Sequence, residues 1–481
     1  MRAPTIAPWI AAALTALSGC KVGPSFERPQ TPAPAAYTEP AEEPTAPEAF
    51  AQRIVLGESP GANWWASFHC AQLDAIIHLA VAHNHTLASA RATLDEAREL
   101  ARAASGARYP QVNLTAGAGR QKYGKEFLGS LFVLPPFSYL ALGGAVSYTI
   151  DYTGGIARSI EQRQALAEVE RSEVDATYLT LTGSVVTQAL TAASLQQQVD
   201  ALGELLAEDR QNLDLVRTAF ENGSVSRVDV VTAQSQLASD QTLLPPLRQQ
   251  LSAARHALAL LVGQPPGEWQ PPRLQLTDLT LPRRLPVSLP SELAHRRPDI
   301  LAAEAQLHAA TAAVGVATAN LYPQITLSAS GGFQSLPAEQ LFSRSNTAWT
   351  LISGVTAPLF DGGRLHAERR ASLDELRASA ARYQQVVLDS FGQVADLLDA
   401  LTHDSELLAA QTNALSAAQT DLQLARESYS EGNSGLLEVI DAQRRRLTAQ
   451  LGLLRAQAQQ YVDTAQLFLA LGGSLPDSAS S

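Results

Sequence analysis

Aromatic residues make up only 6% of this 481-residue chain, cysteine occurs twice and methionine once. Two cysteines, Cys20 and Cys70, cannot form a disulfide framework. The lack of internal methionine disfavours a dedicated soft-metal route. So few large rings disfavour a bulky-cored globule. The abundant small apolar residues, with Gln, Glu and Arg, favour long helices instead. Positive charge is also scarce, with 35 Lys and Arg against 47 Asp and Glu, which excludes polyanion binding as the main activity. Charged residues total 17% beside 46% hydrophobic residues, which excludes a disordered chain. No nucleophile–base arrangement, phosphate loop or zinc spacing is present. His78, His83 and His85 do not have a metal-specific spacing, so no metal site and no enzyme activity are expected. Beyond the N-terminus, no stretch reads as a clean apolar helix of ~20 residues.

Residues 1–19 read as a secretory signal. Arg2 is the only charge, a largely apolar run from Ile6 to Leu17 follows, and Ser18-Gly19-Cys20 closes it. Small residues before a cysteine have the form of a bacterial lipoprotein box. Cys20 is therefore the expected lipid-attachment residue, and this covalent lipid is the only prosthetic group expected. Lys21 where Asp would signal inner-membrane retention points to the outer membrane. Loss of Arg2 with the signal makes the mature charge 34 − 47 = −13.

The chain is a tandem repeat. Arg108-Tyr109-Pro110-Gln111-Val112-Asn113-Leu114 echoes Leu321-Tyr322-Pro323-Gln324-Ile325-Thr326-Leu327. Gly154-Gly155 echoes Gly362-Gly363, and FENGSVSRVDVVTAQ from Phe220 echoes YSEGNSGLLEVIDAQ from Tyr429, 209 residues on. The organisation that follows is a lipidated extended N-terminal arm at 20–70, a first repeat at 71–262, a Pro-rich connector at 263–290, a second repeat at 291–472 and a tail at 473–481. Each repeat predicts a helix (near 71–106 and 291–320), two strands, a very long helix, a turn and a returning helix. Val112, Leu114, Ala116 and Ala118 alternate with polar or small residues, as do Ile325, Leu327 and Ala329, which is the period of a half-apolar strand. Return strands are expected at 140–152 and 348–360. Tyr178, Val185, Ala192, Val199, Leu206, Leu213 and Phe220 fall every seventh residue, as do Val387, Val394, Leu401, Leu408, Leu415, Leu422 and Tyr429. Heptads sustained this long predict helices packed side by side with supercoiling. Pro245-Pro246 should interrupt the first returning helix.

Dimensions separate the two kinds of element. A helix over 155–220 would span roughly 100 Å, about three times a bilayer core. The strands match the ~9–11 residues of a tilted membrane strand. Four strands cannot close a barrel alone, so membrane-spanning strands require oligomerisation.

Several stretches together carry a family resemblance. They are Cys20-Lys21-Val22-Gly23-Pro24 with Arg28-Pro29, Trp64-Trp65-Ala66-Ser67-Phe68, and residues 289–328 with Arg296-Arg297-Pro298-Asp299-Ile300 and Tyr322-Pro323. Through them nearly the whole mature chain resembles the TolC-like outer-membrane channels of tripartite efflux pumps, in the lipoprotein branch paired with resistance–nodulation–division (RND) pumps. Cys70 departs from the Asp common there. The resemblance implies a mainly α fold with a small membrane β part. Two structural repeats would give coiled-coil-like helices of an α-barrel, and each chain would give four strands to a shared trimeric β-barrel. It implies a passive exit duct for drugs and other small solutes in the outer membrane of a Gram-negative bacterium. The partners would be two further copies, outer-membrane lipid, a periplasmic adaptor (membrane fusion) protein and an inner-membrane RND pump, with no nucleic acid.

The turns Gly223-Ser224-Val225 and Gly432-Asn433-Ser434-Gly435 read as helical-hairpin ends, and the resemblance makes them adaptor-docking tips. Glu438 and Asp441 are three apart and share a helix face. By resemblance they line the closed periplasmic gate, where a ring of carboxylates favours cations. Asp229 matches Glu438 in the first repeat, while Thr232 replaces the second acid. The competing reading of these acids is as helix N-terminal charges, favourable to the dipole. Two other classes of function compete with a duct: a pore-less periplasmic coiled-coil lipoprotein or adaptor, and an envelope hydrolase on a helical stalk.

Overall fold

The computed structural model describes residues 21–30, 34, 36–37, 51–61, 63–123 and 135–473. The expected signal, Cys20 and nearly all of the C-terminal tail lie outside the described residues. The order of elements is β1 (Arg53–Leu56), α1 (Ala71–His83), α2 (His85–Ser105), β2 (Gln111–Gln121), β3 (Phe137–Ile150), α3 (Gly155–Glu221), α4 (Arg227–Gln241) and α5 (Leu244–Leu261). There follow β4 (Arg284–Val287), a single helical turn at Pro290–Leu293, α6 (Pro298–Ala319), β5 (Gln324–Ser335), β6 (Thr347–Thr356), α7 (Arg364–Ser430) and α8 (Leu436–Ala470).

The two long helices are each 67 residues and begin and end 209 residues apart, so the repeat is kept in structure as in sequence. Their starts are built alike. Asp151 accepts from the Ile156 and Ala157 amides at 3.0 and 2.8 Å, and Asp361 accepts from Gly363 and Leu365 at 2.8 Å each. The heptad ladders are buried at Val185, Leu206, Leu213, Val387, Val394 and Leu422. At the ladder ends Phe220 and Tyr429 emerge to 43% and 40% exposure. The first returning helix is interrupted, with α4 ending at Gln241 and the prolines entering the first turn of α5, where a missing N–H costs nothing. α8 runs unbroken for 35 residues.

The chain gathers into two compact units, and neither is a repeat. One unit comprises Met1–Pro29, Leu94–Glu170 and Ala303–Tyr383; the other comprises Gln30–Thr93, Arg171–Ala302 and Gln384–Ser481. Each takes segments from both repeats. The first holds the antiparallel sheet β2-β3-β5-β6. Residues 21–28 lie against the connection before α3 and on α6: Val22 N–H donates to the Thr153 carbonyl at 3.0 Å, Arg28 bonds Glu304 at 2.7 Å, and Phe26 stacks on His308 at 4.4 Å.

The second unit carries the main core. Trp64, Trp65 and Phe68 are buried among Ile77, Val185, Leu190, Leu258, Leu285, Leu293 and Phe468. Trp64 meets Phe468 at 5.9 Å and Phe68 stacks on Tyr461 at 6.0 Å. Five of the chain's scarce large rings, Trp64, Trp65, Phe68, Tyr461 and Phe468, thus meet at one place. Gly183 belongs to this packing, since a Cβ there would lie 2.2 Å from a Leu469 methyl.

Four expectations need correction. The arm is not extended throughout, because Trp64–Phe68 forms a 3-10 turn; β1, which is extended, pairs in parallel with β4 of the connector, Arg53 opposite Arg284 and Leu56 opposite Val287. The helix near 71–106 is two, because Asn84 is extended, accepts from the Leu87 amide at 3.0 Å and donates to the Leu261 carbonyl at 2.9 Å. The helix expected near 291 begins at Pro298, whose fixed φ suits a first helical position. Finally, α6 is by length and composition apolar enough to cross a membrane, with mean hydropathy 1.3 over its best window. Half of that window is buried inside the protein, so the helix reads as a core element.

Candidate functional site: a two-faced sheet and two helical-hairpin ends

Residues directly opposite one another in an antiparallel pair point to the same face. The register sets Val112 opposite Val146, Val146 opposite Ala329 and Ala329 opposite Leu351. Continued along the strands, this face carries Leu114, Leu140, Leu142, Tyr148, Ile150, Ile325, Leu327, Phe333, Trp349 and Val355. The neighbouring row is Asn113, Ala145, Ser330 and Thr350, and its face continues through Gln111, Thr115, Ser147, Thr149, Gln324, Thr326 and Ser328. One face is therefore apolar and the other is mostly Ser, Thr, Asn, Gln and Gly. The apolar face is uncovered: Leu114 is 80%, Trp349 79% and Leu351 74% exposed. Gly332 is required here, because a Cβ would meet the Leu142 carbonyl oxygen at 2.3 Å. Among the described residues, the outer strands β2 and β6 each pair on one side only. The alternation seen in β2 and β5 from sequence is one half of this pattern, and the register supplies the other half.

The hairpin ends are near-copies. Gly223 and Gly432 have φ of 74° and 77°. Ser224 N–H donates to Ala219 O, and Asn433 N–H to Ser428 O, each at 2.9 Å, which closes the last helical turn. A Cβ at either glycine would meet nothing within 4 Å, so glycine is needed for its backbone conformation alone. Beyond the turns the copies diverge. In the first, Ser226 N–H and Oγ–H donate to the Asp229 carboxylate at 2.8 and 2.7 Å, and the Asp229 amide donates back to Ser226 Oγ at 3.3 Å. These Ser226 donors hold the Asp229 carboxyl below the usual range. In the second copy Gly435 occupies the cap position without a side-chain bond. Ser226→Ala should thus cost the α4 start about 1 kcal/mol, read as a lower unfolding midpoint, while Gly435→Ala should not remove any such bond.

The gate candidates differ in surroundings. Asp229 is engaged by its own cap. Glu438 is exposed in the first turn of α8, with its amide donating to Gly435 O at 3.2 Å. Asp441 is half-buried and lines a groove of about 1020 Å³ between α7 and α8 with Asp421, Arg444, Arg445 and Arg455. Arg445 pairs with Asp421 at 2.7 Å. Glu208 of α3 accepts from Arg446 at 3.2 Å, Gln443 at 3.3 Å and Arg426 at 3.4 Å, joining α3 to both α7 and α8. Sequence reading missed these basic partners. Their signal was the run Arg444-Arg445-Arg446 in a chain poor in positive charge.

A sheet with one apolar and one polar face, two open edges, and long helices in tandem hairpins is the architecture of an outer-membrane channel subunit. The outer membrane efflux protein family matches residues 76–264 and 289–473. The pyoverdine export outer membrane protein OpmQ of Pseudomonas aeruginosa is 32% identical over 420 residues, 85% of this chain and 87% of that protein. The toluene efflux pump outer membrane protein TtgF of Pseudomonas putida is 30% identical over 471 residues, 95% of each chain. The solved outer-membrane channel OprN superposes with a TM-score of 0.85 at 27% identity, covering 94% of this chain and 99% of that one. The chain belongs to the outer membrane efflux protein family. The fold expected from the sequence, mainly α with tandem repeats and four strands for a shared trimeric barrel, is the fold of these channels. The family consists of outer-membrane efflux channels of Gram-negative bacteria rather than enzymes.

Proposed function

We propose that the chain is the passive exit duct of a tripartite efflux system, acting as a trimer anchored through an acylated Cys20. The observation that carries this reading is the two-faced sheet with free edges at β2 and β6. Exposed apolar rows this wide are costly in water and favourable in hydrocarbon. Open edges are forbidden there, so copies must join edge to edge. Three copies of a four-stranded sheet supply twelve strands, within the range of closed outer-membrane barrels. The apolar rows then meet lipid and the Ser/Thr/Asn rows line water.

The names of the relatives include pyoverdine and toluene, and the proposed cargo is likewise small organic solutes delivered by an RND pump. The hairpin ends at Gly223-Ser224-Val225 and Gly432-Asn433-Ser434-Gly435 would dock the adaptor, and Glu438 with Asp441 would line the periplasmic gate. Val228, Val231 and Leu437, 71%, 55% and 58% exposed just past the turns, support docking by offering an apolar contact.

The test is the molar mass of membrane-extracted protein by light scattering, beside its conductance in a planar bilayer. A trimer from the outer membrane that conducts ions is the expected result. Cys20→Ser should remove the acyl mass and leave the trimer. A stable monomer would leave four strands unable to close and would favour the pore-less tether instead.

A further inference from the structure

Two carboxyl pairs lie buried inside the helical hairpins, away from the gate candidates. Asp209 on α3 faces Asp240 on α4, each 5% exposed. Asp404 on α7 faces Asp463 on α8, at 8% and 7% exposure. In both pairs a glutamine four residues earlier on the returning helix donates to its aspartate: Gln236 to Asp240 at 2.6 Å and Gln459 to Asp463 at 2.9 Å. In both, the aspartate of the long helix keeps an oxygen, Oδ2, that is buried with no hydrogen-bond partner.

The two constellations are related by the coiled-coil geometry, not by the tandem offset. Asp404 follows Asp209 by 195 residues and Asp463 follows Asp240 by 223, fourteen less and fourteen more than 209. In an antiparallel hairpin, a shift of two heptads back along one helix and two heptads forward along its partner preserves which residues meet. The same acid–acid–Gln layer has thus been placed twice, the second time two heptads further from its turn. Recurrence at different repeat positions argues against a relic of duplication.

Two ionised carboxylates have only acceptors, so facing each other in an apolar layer they repel and neither is satisfied. One proton converts the pair into a donor and an acceptor. Among the described residues, no donor reaches Asp209 Oδ2 or Asp404 Oδ2, and each glutamine serves only the other aspartate of its pair. Around the first pair, Glu208 and Arg210 flank Asp209 on α3; Glu208 is held by Arg446 of α8, and Arg210 is exposed. Around the second, His403 is the flanking titratable group, while Ser405 and Thr464 give their hydroxyls to the Thr402 and Gln460 carbonyls at 2.6 and 2.7 Å. We propose that Asp209–Asp240 and Asp404–Asp463 are two proton-binding sites, each sharing one proton that ties the two helices of its hairpin together. Burial first, and then the opposing aspartate, pushes Asp209 and Asp404 up to about 7. The folded chain therefore keeps protons that the unfolded chain releases above about pH 4. The stability they confer is complete below that value, declines through the range up to about 7, and is flat above it. This inference does not depend on the duct reading, because it concerns only the helix pairs.

The experiment is infrared spectroscopy of the intact detergent-extracted protein across pH, with Asp240→Asn, Asp463→Asn and the double variant. Asparagine keeps the shape and supplies a permanent amide donor, so these variants should fold. The wild type should display a protonated-carboxyl band at about pH 6 that is lost toward about pH 9, halved in each single variant and absent from the double. Amide exchange of α3 and α4 beside the pair, corrected for intrinsic rate, should rise roughly tenfold over the same range in the wild type and stay flat in Asp240→Asn. Absence of the band in the wild type, or its persistence in the double variant, would overturn the proposal.

Discussion

Leu351→Arg should abolish recovery of an assembled channel from the outer membrane, while Thr350→Arg, one residue away, should leave assembly intact. The two positions differ only in the face to which β6 presents them. Leu351 is 74% exposed and sits in the row of Ala329, Val146 and Val112. Thr350 sits in the row of Ser330, Ala145 and Asn113. An arginine turned to hydrocarbon near the midplane costs about 2–4 kcal/mol in a barrel. In a trimer that cost is incurred three times, against a total stability of a few to about fifteen kcal/mol for an ordinary domain. On the lumen side the guanidinium remains in water and costs little. The measurement is the fraction of protein running as an intact oligomer after extraction without heating. Equal assembly of the two variants would mean that the apolar rows do not meet lipid.

The difference between those neighbours could be read from sequence only in part, and the reason is physical. A strand's alternation shows that it has two faces, which is why β2 and β5 were visible from Val112-Asn113-Leu114 and Ile325-Thr326-Leu327. In β6 the apolar Ile352 falls among Trp349, Leu351 and Val355 and blurs the period, so only pairing with β5 assigns the faces. The long helices were legible because heptads are local and repeated, and a 209-residue echo checks them twice. The β1–β4 ladder was not, because each strand is four residues long and its partner lies more than two hundred residues away. At the site, the glycines of both turns could be foreseen from the conformation a helix end needs. The capping bonds of Asp229 could not: an acid three residues after Ser226 is equally a ring-forming charge and half of a capping box, and only the geometry shows that the box is made. The buried aspartate pairs were invisible for a related reason, since each joins residues that the heptad pattern marks only as polar interruptions.

That separation sharpens the expectation for the gate. Glu438→Ala combined with Asp441→Ala should raise single-channel conductance and lower the preference for cations, whereas Asp229→Asn should leave both unchanged and only weaken the start of α4. Glu438 is exposed and Asp441 is half-buried beside Arg444, Arg445 and Arg455, so neither acid is spent on capping its own helix as Asp229 is on Ser226. Arg445 is already drawn to Asp421, which leaves its charge less able to cancel that of Asp441. Around a threefold axis each acid recurs three times. Three carboxylates roughly 8 Å from an ion on the axis attract it by about 1.5 kcal/mol even at the dielectric of water, a bias of roughly tenfold toward cations. In the proposed gate, cations or arginines would offset their mutual repulsion, and alanine would remove both the repulsion and the attraction. Loss of the bulk would widen the proposed constriction, and loss of the charge would release its selectivity. Bilayer recordings under a salt gradient read both effects at once, through the current amplitude and the reversal potential. A double variant with unchanged reversal potential would remove these acids from the conduction path. A changed reversal potential in Asp229→Asn would return that carboxylate to the path despite its bonds to Ser226.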